Sequence, residues 1–246
     1  MIVSSTEVQN NFGKYLQLAA NEEIIITRNG TEIARLQSLK DHPTKEVIWD
    51  SSVKESAEQY HFKGRKASYE EFLELTRDVE NRYEYIDGEI YLLASPKTAH
   101  QYAITQMLVI FHEAFLGGPC IPFVAPYDIR LKRVNHDDPN VVQPDLMVIC
   151  DLDDHLDERD YYRGVPSLVV EVLSDSTRSK DMVKKLDLYM ESGIKEYWIV
   201  NPFNRDVTIY YFEKNEVSEI STFKYPETAK SFLFENVTVE LEKIFK

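Results

Sequence analysis

Apolar and polar positions change period several times along this chain, and each change predicts an element. Val8, Phe12, Tyr15 and Leu16 recur at helical spacing, so residues 6–19 read as a helix. Residues 23–27 read as a strand. Asn29-Gly30 suits a two-residue hairpin turn, because that turn needs positive φ at both positions, and residues 31–36 return as the second strand. The pattern then fades. Residues 41–66 mix Val47, Ile48 and Trp49 with charges of both signs, as in a linker carrying a short docking helix.

From Ser68 the periods return. Ser68-Tyr69-Glu70-Glu71 has the spacing of a capping box, which predicts a helix to about Asn81. Residues 83–86 and 89–93 flank Asp87-Gly88, a second hairpin signal. Residues 98–116 are amphipathic, with Ile104, Leu108, Phe111 and Phe115 on one face. Residues 123–134, 142–150 and 167–173 read as strands. Residues 179–192 read as a helix stopped by Gly193 at C′. Strands at 196–201, 207–212 and within 231–239 follow, then a short terminal helix. Alternating strands and helices with hairpins at both ends predict an α/β domain with a mixed central sheet.

Charge divides the chain the same way. Lys and Arg number 28 against 42 Asp and Glu, a net charge of −14. Residues 1–40 and 41–66 are each neutral, so the whole excess lies in residues 67–246. Three zones follow: a small α+β unit at 1–40, a linker at 41–66 and a domain at 67–246. A 40-residue unit is too small to be stable alone, so it must pair with a copy of itself or dock on the larger domain. The acidic balance argues against non-specific coating of nucleic acid but leaves room for a local basic groove. No apolar run is long enough to span a membrane and no signal peptide is visible. Cys120 and Cys150 are the two cysteines, too few for a disulfide framework or a zinc cluster, which fits a reducing cytoplasm.

Candidate chemistry lies where carboxylates interrupt apolar strands. Asp145 does so within residues 141–149, and Glu171 within residues 167–174. A buried carboxylate needs a cation, either a basic side chain such as Arg130, Arg163 or Arg205, or a metal. Two on separate strands of one sheet can converge on magnesium, which takes oxygen ligands. The helix after Glu171 carries Lys184 and Lys185. With Met182 at the origin, Leu186 falls at about 40°, Tyr189 at about −20°, Lys185 at about −60° and Lys184 at about 200°. Lys185 therefore reaches inward, and Lys184 faces solvent. Gln143 shares the face of Asp145. His100 starts the amphipathic helix on the side of Ile104. Arg130, Lys132, Arg133, Arg178 and Lys180 are candidate phosphate contacts. Phosphate-binding loops, dinucleotide fingerprints and zinc-protease motifs are absent.

Two resemblances follow from these residues. S-S-T-E-V-Q-N-N-F-G-K-Y-L and E-E-I-I-I-T-R-N-G-T-E-I-A-R-L, within residues 1–38, resemble the Phd/YefM antitoxin family. That resemblance implies a homodimer, operator DNA binding and a toxin-type protein partner. P-D-L, E-V-L-S, D-M-V-K-K-L-D-L-Y and G-I-K-E-Y-W-I-V-N-P resemble, in that order, the Uma-two family of restriction-endonuclease-like proteins. R-Y-E-Y-I-D-G-E-I-Y and S-P-K-T-A-H upstream match it too, so the resemblance covers residues 68–246. It implies a PD-(D/E)XK nuclease fold and a Mg2+- or Mn2+-dependent endonuclease acting on DNA. Asp145, Glu171 and Glu84 would bind the metal, Lys185 would serve the nucleophile, and His100 would line the site. The superfamily's usual lysine position, two residues after the glutamate, holds Leu173, and Lys185 takes the migrated position. A non-catalytic regulator that uses the nuclease fold as a binding scaffold is the other reading, favoured by the net charge and by Leu173.

Overall fold

The computed structural model describes residues 1–4, 8, 15, 19, 23–28, 31–36, 65–77, 79, 81–133, 139–174 and 183–246. Two compact units divide the chain, Met1–Lys54 and Glu55–Lys246, with the boundary inside the segment expected to be a linker. In the first unit β1 (Ile2–Ser4) runs parallel to β2 (Ile24–Arg28), and β2 pairs antiparallel with β3 (Thr31–Leu36). Val8, Tyr15 and Ala19 are helical and are buried with Val3, Ile24 and Ile26. Their spacing puts them on one helical stripe, which is why they share that small core. The Asn29-Gly30 turn and the docking helix expected within 41–66 lie outside the described residues.

The second unit is built on a six-stranded sheet. Its order is β14 (Glu216–Lys224), β13 (Asp206–Glu213), β12 (Glu196–Asn201), β11 (Leu168–Val172), β10 (Leu146–Ile149) and β7 (Ile121–Val124). The β11–β12 pair is parallel and the others antiparallel, so the sheet is mixed as expected. Strands β10, β11 and β12 are buried along their whole length, which their near-continuous apolar runs require.

A second sheet covers one face. It is antiparallel, in the order β4 (Arg65–Lys66), β6 (Glu89–Leu92), β5 (Tyr83–Ile86), β9 (Asn140–Val142) and β8 (Ile129–Leu131). Between the sheets Ile86, Ile129 and Val142 pack on Met147, Val169 and Tyr197. Helix α1 (Tyr69–Thr76) caps the outer face of the smaller sheet, with Phe72 against Tyr85. Its capping box is formed: Glu71 N donates to Ser68 Oγ at 3.2 Å, and Ser68 N donates to Glu71 Oε2 at 2.8 Å. Helix α2 (Thr98–Phe115) packs on the opposite face of the large sheet through Ala103, Met107 and Phe111. Helix α3 (Lys185–Glu191) joins the core between the sheets through Leu188 and Tyr189, and Gly193 follows it at φ 92°. Helix α4 (Leu241–Ile244) ends the fold beside the short pair β15 (Thr228–Lys230) and β16 (Thr238–Glu240).

Three features correct or go beyond the expected pattern. The strands expected at 123–134 and 142–150 are each cut in two, and one central sheet becomes two. Pro126 and Pro144 lie at the cuts and lack the N–H that a ladder needs. The registers of β7–β10 and β8–β9 differ by a single residue, so the four strands form one long hairpin that passes from one sheet to the other at the prolines. Strand β14 was not anticipated, because Val217, Ile220 and Phe223 recur every three residues and do not alternate. Finally, Cys120 and Cys150 are joined as a disulfide, one rung beyond the Ile121–Ile149 pair of β7 and β10. None of the helices among the described residues is long and apolar enough to cross a membrane.

Candidate active site

The proline bend sets Asp145 beside Glu171 in the strand register. Asp145 follows Pro144, where the long hairpin enters the large sheet. Continuing the β10–β11 register by one residue sets it opposite Glu171. Glu171 points to the side of β11 that carries Val169 and Leu173, toward the smaller sheet. Glu84 on β5 points back from that sheet, on the face of Ile86. Two strands of different sheets thus aim carboxylates into the layer between them.

Lys185, the first residue of α3, lies between the two. Its Nζ is 2.8 Å from Glu84 Oε1 and 2.7 Å from Glu171 Oε1. The side chains are 3%, 0% and 4% exposed for Lys185, Glu84 and Glu171, so all three are removed from water. Two carboxylates buried this close need a cation between them, and the ammonium supplies it. Tyr189, one turn along α3, donates its hydroxyl to the same Glu171 oxygen at 2.6 Å. Gln143 N donates to Glu84 Oε1 at 3.1 Å. Asp145 Oδ2 accepts from Val172 N at 2.8 Å and stands 3.2 Å from His100 Nε2. His100 Nδ1 and Gln143 Oε1 are buried without a hydrogen-bond partner, so each keeps a polar atom for a further group.

The donor set suits a divalent ion in type and charge. It offers carboxylate oxygens, the ligands magnesium prefers, and two of them already converge on one positive charge. Among the described residues, though, no three His, Cys, Asp or Glu side chains are grouped closely enough to hold a metal. Asp145 turns to His100, while Glu84 and Glu171 turn to Lys185.

Other sequence candidates separate. Leu173 is buried in apolar packing, so the usual lysine position holds a core residue. Lys184 does not simply face solvent: its ammonium reaches Glu89 on β6 at 2.5 Å. Arg133 is not an exposed phosphate contact. It is buried and pairs with Asp87 and Glu191. Arg130 and Lys132 are exposed on β8 and just after it. Arg178 and Lys180 lie outside the described residues. Of the arginines that could have neutralised the strand carboxylates, Arg163 pairs with Asp157 instead and Arg205 donates to Lys246 O. Tyr189 and Glu89 were missed. The four-residue spacing of Lys185 and Tyr189 was the available signal, since it puts both on one side of a helix.

Comparison with known proteins agrees with this fold. The chain resembles an uncharacterised protein, slr1290, of Synechocystis sp., with 29% identity over 147 residues, 59% of this chain and 74% of the relative. Its fold is similar to the crystal structure of an Anabaena variabilis protein described as a "putative nuclease belonging to DUF820". That similarity has a TM-score of 0.59 at 18% identity and covers 73% of this chain and 97% of the other. The family model described as "Uma2: Putative restriction endonuclease" matches residues 69–242 and leaves the first unit outside. With that match running from α1 into the terminal helix, over the large sheet, all of the smaller sheet but β4, and every carboxylate around Lys185, the chain belongs to the Uma2 family of restriction-endonuclease-like proteins.

Proposed function

We propose that this chain is a magnesium- or manganese-dependent endonuclease that hydrolyses DNA phosphodiester bonds. The observation that carries the reading is the meeting of Glu84 and Glu171, from two sheets, on the Lys185 ammonium beside Asp145. Asp145, Glu171 and Glu84 would hold the ion. Such an ion, when bound, lowers the pKa of water and polarises the phosphate. Lys185 orients the attacking water and offsets charge that develops on the phosphate oxygens. Tyr189 fixes the Glu171 carboxylate from the helix side, and Gln143 N fixes Glu84. His100 holds Asp145 from α2.

The first unit is proposed to pair with a second copy, to dock DNA or to hold a toxin-type protein. Its three-stranded sheet and the buried cluster of Val3, Val8, Tyr15, Ala19, Ile24 and Ile26 among the described residues support a folded module, and its small size supports pairing.

A second reading has its own observation. Lys185 occupies the position between the carboxylates, and no metal cluster is assembled among the described residues. A scaffold that binds DNA or a partner without cutting needs nothing more. Nicking of supercoiled plasmid in magnesium or manganese against EDTA separates the two. Metal-dependent nicking by the wild type, lost in Asp145→Asn, is expected. Cleavage at the wild-type level by that variant sinks the site assignment. A folded wild type that nicks neither DNA nor RNA, and takes up no manganese in calorimetric titration, leaves the scaffold reading standing.

A further inference from the structure

Helix α3 is fastened to the β5–β6 hairpin at both ends by contacts that Lys185 does not make. At the start, Lys184 Nζ donates to Glu89 Oε2 and to the Tyr91 hydroxyl, and it lies 5.1 Å from the centre of the Tyr91 ring. Tyr91 is the direct cross-strand partner of Glu84, so this contact adjoins the site. At the end, Glu191 Oε2 is 3.0 Å from Arg133 Nη1. Arg133 Nη2 in turn donates to Asp87 Oδ2 at 3.0 Å, in the hairpin turn, while its Nε stands 2.9 Å from Asp87 Oδ1 without hydrogen-bond alignment.

The helix makes this arrangement readable. Lys184 and Glu191 are seven positions apart, two turns, and fall within about 20° of each other around the axis. Lys185 and Tyr189 form a second stripe, turned to Glu171. One side of α3 grips the hairpin, and the next aims at the large sheet. A seven-residue helix has little stability of its own, so packing and these contacts set its place. A π-helical turn at Val183–Lys184 leads into it. The grip also keeps its charges. Hydrogen bonds from Lys184 and Tyr91 hold the Glu89 carboxyl below its ordinary range. Burial opposes charge on Lys184, but its bonds to Glu89 and Tyr91 leave it raised. Arg133 is likewise raised against its burial by Glu191 and Asp87.

We propose that Lys184, clamped on Glu89 and Tyr91, is a positioning residue that sets α3 against the hairpin so that the Lys185 ammonium falls between Glu84 and Glu171, with Arg133 as the matching clamp at the far end. This deepens the nuclease reading and rests on it for the role of Lys185.

Acetylation of lysines on the full chain, followed residue by residue by mass spectrometry, tests the clamp without reference to cleavage. In the wild type Lys185 is modified slowly, and exposed Lys230 serves as the internal reference. In Lys184→Glu, and separately in Glu89→Lys, modification of Lys185 rises at least about tenfold while Lys230 is unchanged. The double variant, with the pair reversed, regains protection. Tyr91→Phe keeps the ring and loses the hydroxyl, and gives a rise of about two- to threefold; it decides the matter if the charge variants fail to fold. Wild-type protection of Lys185 in the folded variants overturns the clamp. In plasmid nicking, Lys184→Glu lowers kcat roughly tenfold with KM within about twofold, and the reversed pair restores it. A wild type that does not nick overturns the nuclease reading alone, and the acetylation result still decides the clamp.

Discussion

Under the proposed function Lys185 has two roles that a substitution cannot separate. Its ammonium lies between two buried carboxylates, and breaking such an ion pair costs about 3–5 kcal/mol because charge is left buried. Lys185→Ala is therefore expected to lose stability of that order as well as activity. Asp145 is 19% exposed, and Asn keeps an oxygen to accept from Val172 N. Asp145→Asn is expected to stay within about 1 kcal/mol of the wild type. Urea unfolding of the two variants checks this, and equal midpoints would contradict it. Glu196 shows a different solution to the same burial problem. It accepts from Trp198 Nε1, Ser231 Oγ, Phe232 N and Leu233 N, at 2.6 to 2.8 Å, and so needs no cation. Both carboxylates look alike in an apolar run. Neutral donors converge on Glu196, whereas an ammonium reaches Glu171. That difference is tertiary.

At the scale of elements, the bent hairpin and the clamped helix together make the candidate site. Pro144 both ends β9 and delivers Asp145 to the large sheet, so the motif residue and the architectural break are neighbours for a reason. The clamp on α3 has a pH signature. Because the folded-state pKa of Glu89 is lowered, the unfolded chain binds its proton first as pH falls. The stability it contributes is full above the ordinary carboxylate pKa and is lost as pH falls through the lowered value. Below about pH 4.5 the wild type should therefore lose stability more steeply than Glu89→Gln. The effect is small, since the pair is 41% and 24% exposed and is screened by water. Parallel slopes for the two proteins in thermal unfolding against pH would remove the clamp's electrostatic share.

For the whole molecule, the proposed activity asks how an acidic protein would meet DNA. The net charge is −14, so any approach must run through a local basic surface. Arg130 and Lys132 are two residues apart at β8, an edge of the smaller sheet, and both are exposed. Replacing both by Ala should weaken DNA binding across sequences and lower the slope of log affinity against log salt by about two. Fluorescence anisotropy over a salt series reads this, and an unchanged slope would move the DNA path elsewhere. The outer edge, β14, is long, but a register shift opposite Tyr211/Phe212 and its charged residues guard it against pairing with other strands.

Much of this was legible in sequence because it is local. The capping box at Ser68, the positive-φ turn at Asp87-Gly88, the apolar strands and the glycine stop after α3 follow from residues a few positions apart. So does the inward side of Lys185, which a 3.6-residue period sets. What needed the tertiary structure involves residues far apart in the chain. Only folding could show that Glu84 and Glu171 share one ammonium, that Arg133 is a buried clamp, and that Lys184 reaches β6. Period and composition report which side of an element is buried. They do not report which buried charges meet across two sheets, because that depends on strand register and on where two prolines turn the chain.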